Sequence, residues 1–248
     1  MSLTLDLREG YAVATLHWHN DACLLDARTA TDLAAALTTA EESGRRAFVL
    51  TAEGAAFCLG DSGEAADVAG RPPMALATAA LAEASIPTIC AIEGHAGEAG
   101  LELALACDLR IAGRGATFSA GFLHHGDFPA AGGTQRLARI AGRATALSML
   151  LLGEPLDAEA AHQAGLVQRL AAAGRALLEA ETWATRLAAG APIATQYLKE
   201  AILRGMEQPL AEGLQREADL SFLLQTTADR DEGLRAFREK RIPHFEGR

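Results

Sequence analysis

Strand patterns and helix patterns alternate through the first 120 residues of the chain. Residues 3–7 alternate between apolar and polar, residues 11–17 are rich in apolar residues, and Gly10 lies between them, which predicts a β-hairpin. The other strands predicted from short apolar runs are residues 47–50, 88–92 and 109–112. The helices predicted in the same part of the chain are residues 27–42, 75–84 and 101–107. This order predicts an α/β protein whose largely parallel strands are joined by helical crossovers.

From about residue 135 onward the chain has the pattern of consecutive helices. These predicted helices are residues 143–151, 157–164, 172–189, 191–206, 208–222 and 227–238. Earlier, the segment 52–74 is glycine-rich and predicted to be irregular, apart from a helical turn around residues 64–68. We therefore expect a core of residues 1–190 and a C-terminal helical region of residues 191–248.

The net charge limits the classes of binding partner, and the cysteines and the hydropathy indicate the cellular compartment. The formal net charge is −10, which argues against general binding to nucleic acid or to an anionic membrane surface. Four cysteines fit no zinc-binding spacing and adjoin apolar residues, which predicts buried free thiols in a reducing compartment. They are Cys23, Cys58, Cys90 and Cys107. Because there is no signal-peptide pattern and no apolar run long enough to span a bilayer, we expect a cytoplasmic protein with no membrane partner.

The segment 93–108 has the pattern of a strand end, a glycine-spaced loop and a helix start. Gly94, Gly97 and Gly100 lead into the apolar helix. The first amides of a helix have no partner within the helix and carry partial positive charge, and glycines let a ligand approach such a backbone closely. The segment can therefore bind an oxyanion, although a tight strand-to-helix turn would have the same spacing. The backbone around Gly60 could present a second amide donor, although a plain loop would have the same pattern.

Glu102 is the only polar side chain between Leu101 and Cys107. A helix that is apolar all round is buried, and a buried carboxylate needs a partner, a water molecule or a cavity. Burial can also raise the pKa of the carboxyl and suit it to proton transfer. The alternatives are a structural glutamate paired with an arginine and a glutamate whose carboxylate reaches solvent.

The segment 118–137 contains further polar groups. Thr134 is predicted to cap the helix that follows. His124, His125 and Asp127 suggest a metal site. Adjacent histidines on an extended chain point in opposite directions, however, so we predict that no metal is bound here.

Six short segments occur in an order that matches a known family. They are AFCLG (56–60), PTICAIEG (87–94), GLELALACD (100–108), PAAGGTQRL (129–137), AGLV (164–167) and AFREKR (236–241). Together they resemble the enoyl-CoA hydratase/isomerase family, also called the crotonase family, over nearly the whole chain. The resemblance implies a crotonase-like spiral of ββα units with a C-terminal helical trimerisation region. It also implies a homo-oligomer, either a trimer or a dimer of trimers.

The resemblance further implies an acyl-CoA thioester as substrate, and no cofactor beyond the coenzyme A that the substrate carries. By position, the backbone N–H groups of Asp61 and Ala99 would form an oxyanion hole that polarises the thioester carbonyl, so that an enolate can form. Glu102 matches the family glutamate that activates water or moves a proton. The positions matched to coenzyme A contacts are Phe57, Leu59, Gly60, Phe237 and Lys240.

The chain departs from the family pattern at several positions. The second glutamate of hydratases falls at Phe122, which cannot transfer a proton and is assigned to the acyl pocket. The residue after Gly60 is usually small and apolar, but here it is Asp61. An ionised Asp61 would oppose an enolate by like-charge repulsion unless the carboxylate turns away. The first two glycines of the family's Gly-Gly-Gly are replaced by Glu98 and Ala99.

Three functions are compatible with these residues. The first is hydration of a 2-enoyl-CoA, with Glu102 activating the water. The second is another enolate reaction that needs one carboxylate, namely isomerisation, decarboxylation or thioester hydrolysis. In that reaction Asp61, His124 or Asp127 would be the auxiliary group. The third is a catalytically weak acyl-CoA-binding protein, which the departures from the family pattern suggest.

Overall fold

The structure is a computed structural model that describes residues 2–18, 23–63 and 73–248. Its strands are β1 (Ser2–Leu7), β2 (Ala12–His17), β3 (Leu24–Leu25), β4 (Phe48–Glu53), β5 (Ala56–Cys58), β6 (Gly60–Asp61), β7 (Thr88–Ile92), β8 (His95–Ala96), β9 (Leu109–Gly113), β10 (Thr117–Phe118), β11 (Leu156–Asp157) and β12 (Arg169–Ala171). Its helices are α1 (Ala27–Glu42), α2 (Pro73–Glu83), α3 (Glu98–Ala106), α4 (Gly133–Ile140), α5 (Arg143–Leu147), α6 (Ala158–Gln163), α7 (Ala176–Ala188), α8 (Pro192–Gly205), α9 (Leu210–Leu224) and α10 (Ala228–Glu239). The helical turn predicted around residues 64–68 lies outside the described residues.

The largest sheet has six strands in the order β1-β2-β4-β7-β9-β12. Strand β1 pairs antiparallel with β2, which forms the predicted hairpin. The other neighbours, from β2 to β12, all pair in parallel. The prediction of an α/β protein with largely parallel strands is therefore confirmed.

A second sheet takes one strand from each of three successive units. Its order is β11-β10-β8-β5, and strands β5, β8 and β10 follow β4, β7 and β9 of the first sheet along the chain. Helices α2, α3 and α4 then complete the three units. Apart from the two-residue strand β6 in the first unit, each unit thus has the order ββα. Because neighbouring parallel strands end at the same edge of a sheet, the segments after β5, β8 and β10 meet there, at the start of α3.

The two faces of the six-stranded sheet pack into separate apolar clusters. One face is covered by α7, in which Ala176, Ala180 and Ala184 are buried and recur every four residues. Side chains at this spacing lie on one face of a helix, and their small size lets α7 approach the sheet closely. The other face packs against a larger cluster that includes side chains of α1, α2 and α3. The four cysteines are buried, as predicted.

Local sequence determines some helix boundaries but not all of them. Helix α1 has the predicted bounds, and the carboxylate of its N-cap, Asp26, accepts a backbone amide hydrogen at 2.7 Å. The predicted helix 143–151 is divided into α5 and a π-helical turn, Ser148–Leu152. The prediction that Thr134 caps α4 is wrong, because the cap is Gly132 with a φ of 100°. Glycine adopts this left-handed conformation readily, so the helix starts before Thr134.

The C-terminal region consists mainly of helices α8, α9 and α10. Helices α8 and α9 pack against each other and have no buried residue in the single chain. The exposed large apolar side chains of the two helices and of the segment between them are Leu198, Ile202, Leu203, Met206, Leu210, Leu214, Phe222 and Leu223. An exposed apolar group of this kind often marks a protein–protein interface. The division of the chain at residues 190 and 191 stays a prediction.

No helix in the three described ranges is both long enough and apolar enough to cross a membrane.

Candidate active site

Helix α3 begins at Glu98 rather than at the predicted residue 101, and Gly97 is its N-cap. Gly97 has no side chain with which to bond the first amides of the helix. Those amides have no carbonyl partner within the helix, and the helix dipole adds positive charge at the same place. The amide of the buried Ala99 is one of them. The start of α3 therefore provides N–H donors for an anion.

Two glycines bring the start of α3 against the segment that follows β5. The Gly97 amide donates to the Cys58 carbonyl oxygen at 2.8 Å. A Cβ atom on Gly97 would lie 2.5 Å from the Leu59 carbonyl oxygen, and one on Gly100 would clash with the Cys58 carbonyl. Only glycine permits so close an approach of two backbones. As a result, the Ala99 amide lies beside strand β6.

Strand β6 ends at Asp61, whose amide and carboxylate have different surroundings. The strand pairs in parallel with β3, and the Ser62 amide donates to the Leu25 carbonyl oxygen at 2.8 Å. The Leu59 amide donates to the Cys23 carbonyl oxygen at 2.9 Å, so the residues on both sides of β6 are bonded to the β3 segment. The Asp61 side chain is exposed, and its carboxylate accepts the Gly63 amide at 2.7 Å. This carboxylate is therefore held by its own loop.

Glu102 is almost completely buried, with 4% of its surface exposed. Its Oε1 accepts two amide hydrogens, from Ala131 at 2.9 Å and from Gly133 at 2.7 Å. Gly133 begins α4, so the carboxylate also lies at a helix N-terminus. The two bonds are made by backbone amides rather than by an arginine side chain. Because both go to Oε1, they leave Oε2 available to a further partner.

Burial raises the pKa of the Glu102 carboxyl, because the charged form loses its contact with water. The amides of Gly133 and Ala131 oppose this rise, and so does the positive charge of Arg136. The negative charge of Asp61 adds to it. The net effect is a carboxyl that holds a proton more tightly than an ordinary glutamate, which suits a group that exchanges protons with a substrate.

The segment after β10 forms a 3-10 turn at Phe122–His125. The assumption of an extended chain at the two histidines is therefore wrong. Phe122 is buried, whereas His124, His125 and Asp127 are exposed. In the ranges that the structure describes, no group of three or more histidine, cysteine, aspartate or glutamate side chains is arranged to hold a metal ion.

Glu98 lies in the same site, although sequence reasoning does not select it as a functional residue. Its Oε1 is 3.8 Å from His125 Nε2, and 26% of its side chain is exposed. Burial raises the pKa of Glu98, the two histidines His125 and His124 lower it, and the negative charges of Asp127 and Asp61 add to the rise. The sequence signal that could have found Glu98 is its position four residues before Glu102, which places both carboxylates on one helix face.

The residues predicted to contact coenzyme A lie in two regions. The Phe57 side chain is buried in the core, which leaves only its backbone for a ligand. Leu59 is half-buried and Gly60 is buried, and both lie near the start of α3. Phe237 and Lys240 are exposed, on α10 and at its C-terminal cap. Contacts of these five residues with coenzyme A stay predictions.

A comparison with known sequences identifies the family. The sequence model of a family described as Enoyl-CoA hydratase/isomerase matches residues 7–248. The chain belongs to the enoyl-CoA hydratase/isomerase family. The resemblance predicted from the six short segments is thereby confirmed.

Individual relatives of this family member support the same assignment. It is 36% identical to the probable enoyl-CoA hydratase of Rhodobacter capsulatus, over all of this chain and 98% of that protein. It is 43% identical to the 2,3-dehydroadipyl-CoA hydratase of Escherichia coli K12 over 162 residues, which are 65% of this chain and 64% of that protein. The matches thus span less than two thirds of the first curated relatives, at 64% and 54% of their lengths.

Solved structures of the family confirm the predicted fold. The crystal structure of enoyl-CoA hydratase from Bacillus anthracis is similar with a TM-score of 0.92 and 31% identity, and the match covers all of both chains. The enoyl-CoA hydratase from Polaromonas sp. JS666 is similar with a TM-score of 0.92 and 32% identity, over 98% of this chain and 99% of that one. The predicted crotonase-like arrangement of ββα units is therefore confirmed.

In this family member, Arg110 fixes the far end of α3. The side chain is buried, with 3% of the residue exposed. Its Nη1 donates to the carbonyl oxygens of Ala104 at 3.0 Å and Cys107 at 2.6 Å, and its Nε donates to that of Leu166 at 2.7 Å. A cation at a helix C-terminus also interacts favourably with the helix dipole. Arg110 thus holds the helix that carries Glu102.

We expect Arg110→Ala to lower the free energy of unfolding by at least about 3 kcal/mol, because buried carbonyl groups would lose their donor at roughly 1–3 kcal/mol each. Urea denaturation measures this change. The matched control is Arg114→Ala, since Arg114 is exposed and makes a 2.6 Å ion pair with the partly exposed Glu159. We expect that variant to lose less than about 1 kcal/mol. Similar losses in the two variants would contradict the role given to Arg110.

Proposed function

We propose that this chain binds an acyl-CoA thioester and adds water to the double bond of a 2-enoyl-CoA. The observation that carries the proposal is the arrangement along α3. The Ala99 amide at its start lies beside β6, which ends at Asp61, and the buried Glu102 follows within one turn. Such a site offers two hydrogen-bond donors to a developing oxyanion and one carboxylate for proton transfer.

The proposed reaction begins with the thioester oxygen on the amides of Asp61 and Ala99. Glu102 accepts a proton from a water molecule, and the water oxygen bonds to C3 of the substrate. The electrons of the double bond move to the thioester oxygen and form an enolate. Fixed amides stabilise this charge without reorganising, since they already point at the oxygen.

The names of the relatives support an acyl-CoA substrate. One is a 2,3-dehydroadipyl-CoA hydratase and another a probable enoyl-CoA hydratase. We propose that coenzyme A lies along Leu59 and Gly60 and the backbone of Phe57, with Phe237 and Lys240 as outer contacts. No further cofactor is part of the proposal.

We also propose that the chain forms a homo-oligomer, a trimer or a dimer of trimers. The exposed apolar side chains of α8 and α9 support this arrangement, because a second copy of the chain would remove them from water. Size-exclusion chromatography with light scattering measures the mass of the assembly. A monomer at micromolar concentration would contradict this part of the proposal.

The second candidate is an enolate reaction that needs one carboxylate, such as double-bond isomerisation. The observation that favours it is the buried phenyl ring of Phe122 at the place of the second hydratase glutamate. Separate assays with crotonyl-CoA and 3-enoyl-CoA, followed by mass and absorbance, distinguish the two reactions. Hydration of crotonyl-CoA supports the first proposal, whereas isomerisation without hydration supports the second. Stabilisation of the fold by coenzyme A without turnover of any thioester would instead support an acyl-CoA-binding protein.

A further inference from the structure

Helix α3 presents two carboxylates on one face. Glu98 is its first residue, and Glu102 follows four residues later. Residues at this spacing lie one above the other on a helix, about one turn apart. The Ala99 amide comes from the same helical turn. A substrate whose thioester oxygen is bound at this amide therefore lies near two carboxylates.

The Glu98 carboxylate also lies next to the position where a carboxylate is missing. A Cβ atom on Gly121 would be 3.3 Å from Glu98 Oε1, and Gly121 directly precedes Phe122. A Cβ atom on Gly60 would be 3.7 Å from Glu98 Oε2. The carboxylate therefore lies between strand β6 and the turn that begins at Phe122. At Gly121 even a single Cβ atom would make a tight contact with the carboxylate, so the glycine there leaves room for it.

The surroundings of Glu98 favour a carboxyl that carries a proton. Burial raises its pKa, and the acidic groups of Asp127 and Asp61 act in the same direction. His125 and His124, on the turn that faces it, act in the opposite direction. The net pKa is raised, so the protonated form of Glu98 persists to higher pH than in an ordinary glutamate.

We propose that Glu98 is the second acid–base catalyst of this site and supplies the proton that a glutamate at position 122 would supply. This inference rests on the proposed hydration. After water has added to C3 and Glu102 holds the proton of the water, the enolate electrons return to C2. The Glu98 carboxyl donates its proton to C2, and the thioester carbonyl re-forms. The product carries one added water, and proton exchange with solvent returns Glu102 to a carboxylate and Glu98 to an acid.

The test is Glu98→Gln, which keeps the size and polarity of the side chain but cannot transfer a proton. We expect kcat for crotonyl-CoA hydration to fall about 100-fold or more, because one acid–base group contributes roughly 10²–10⁴ in rate. We expect KM to change little, since the amides and the coenzyme A contacts remain. We also expect the decline of kcat/KM at high pH, where Glu98 loses its proton, to disappear.

The matched control is Glu159→Gln, because Glu159 is also a partly exposed glutamate in the first turn of a helix, α6. We expect its kcat and pH profile to equal those of the wild type. Partial recovery of kcat in the double variant Glu98→Gln, Phe122→Glu would further support the inference. Unchanged kcat and pH profile in Glu98→Gln would overturn this inference while the wild-type activity still supports hydration. Absence of hydration by the wild type would overturn both proposals.

Discussion

Glu102→Gln is expected to reduce kcat/KM for crotonyl-CoA hydration by about 10³-fold, within the range of roughly 10²–10⁴ for one acid–base group. A glutamine oxygen can still accept the amides of Ala131 and Gly133, so the local structure should be kept. It cannot, however, take a proton from water. Steady-state kinetics on the purified variant measures the effect.

The stability of the same variant separates loss of chemistry from loss of fold. Because the folded state raises the pKa of Glu102, the protein holds this proton more tightly when folded than when unfolded. Stability therefore falls as the pH rises through that raised pKa, and glutamine removes this contribution. We expect Glu102→Gln to melt no lower than the wild type at neutral pH. A folded variant with undiminished turnover would contradict the role proposed for Glu102.

Gly100→Ala is expected to produce the second large loss, through the backbone rather than through a side chain. The added Cβ would clash with the Cys58 carbonyl group, so the start of α3 must move away from the β5–β6 segment. That movement separates the amides of Ala99 and Asp61. We expect kcat/KM to fall about 100-fold, as for removal of one oxyanion donor, and the free energy of unfolding to fall by about 1–3 kcal/mol.

Gly115→Ala is the matched control for Gly100→Ala. An added Cβ at Gly115 would meet nothing within 4 Å. We expect its activity and stability to equal those of the wild type. Full activity in Gly100→Ala would show that the two amides need not be held at this spacing, and the proposed oxyanion hole would be wrong.

The helices and strands that position the site could be predicted because the apolar pattern that identifies each of them lies within one short segment. Helix α1 has the predicted bounds, and the strand at residues 88–92 is correct, since apolar spacing and short apolar runs report burial directly. The segment 93–108 likewise indicated a helix start with exposed amides. The predicted start of this helix is three residues too late, because the helix already includes Glu98 and Ala99, where the sequence suggested a loop.

Contacts between distant segments could not be predicted from the sequence. The carboxylate of Glu98 lies beside Gly121, which is 23 residues away along the chain and belongs to another ββα unit. The amides that hold Glu102 come from Ala131 and Gly133, beyond the next strand pair. Periodicity reports which face of an element is buried, but not which residue of another element meets that face.

The orientation of the Asp61 carboxylate is a further feature that could be seen only in the structure. The sequence alone left open whether its carboxylate turns toward the proposed enolate. In the structure the carboxylate accepts the Gly63 amide, a bond made within its own loop. Asp61 still acts electrostatically on both glutamates of α3, where it raises the affinity of each carboxyl for protons in addition to the effect of burial.

A crystal structure of the protein with acetoacetyl-CoA tests the central claim most directly. We predict that the thioester oxygen lies about 3 Å from both the Asp61 and Ala99 amide nitrogens. Glu102 should then lie next to C3, and Glu98 should lie next to C2. A thioester oxygen bound elsewhere, or an acyl group that contacts neither glutamate, would contradict the proposed site.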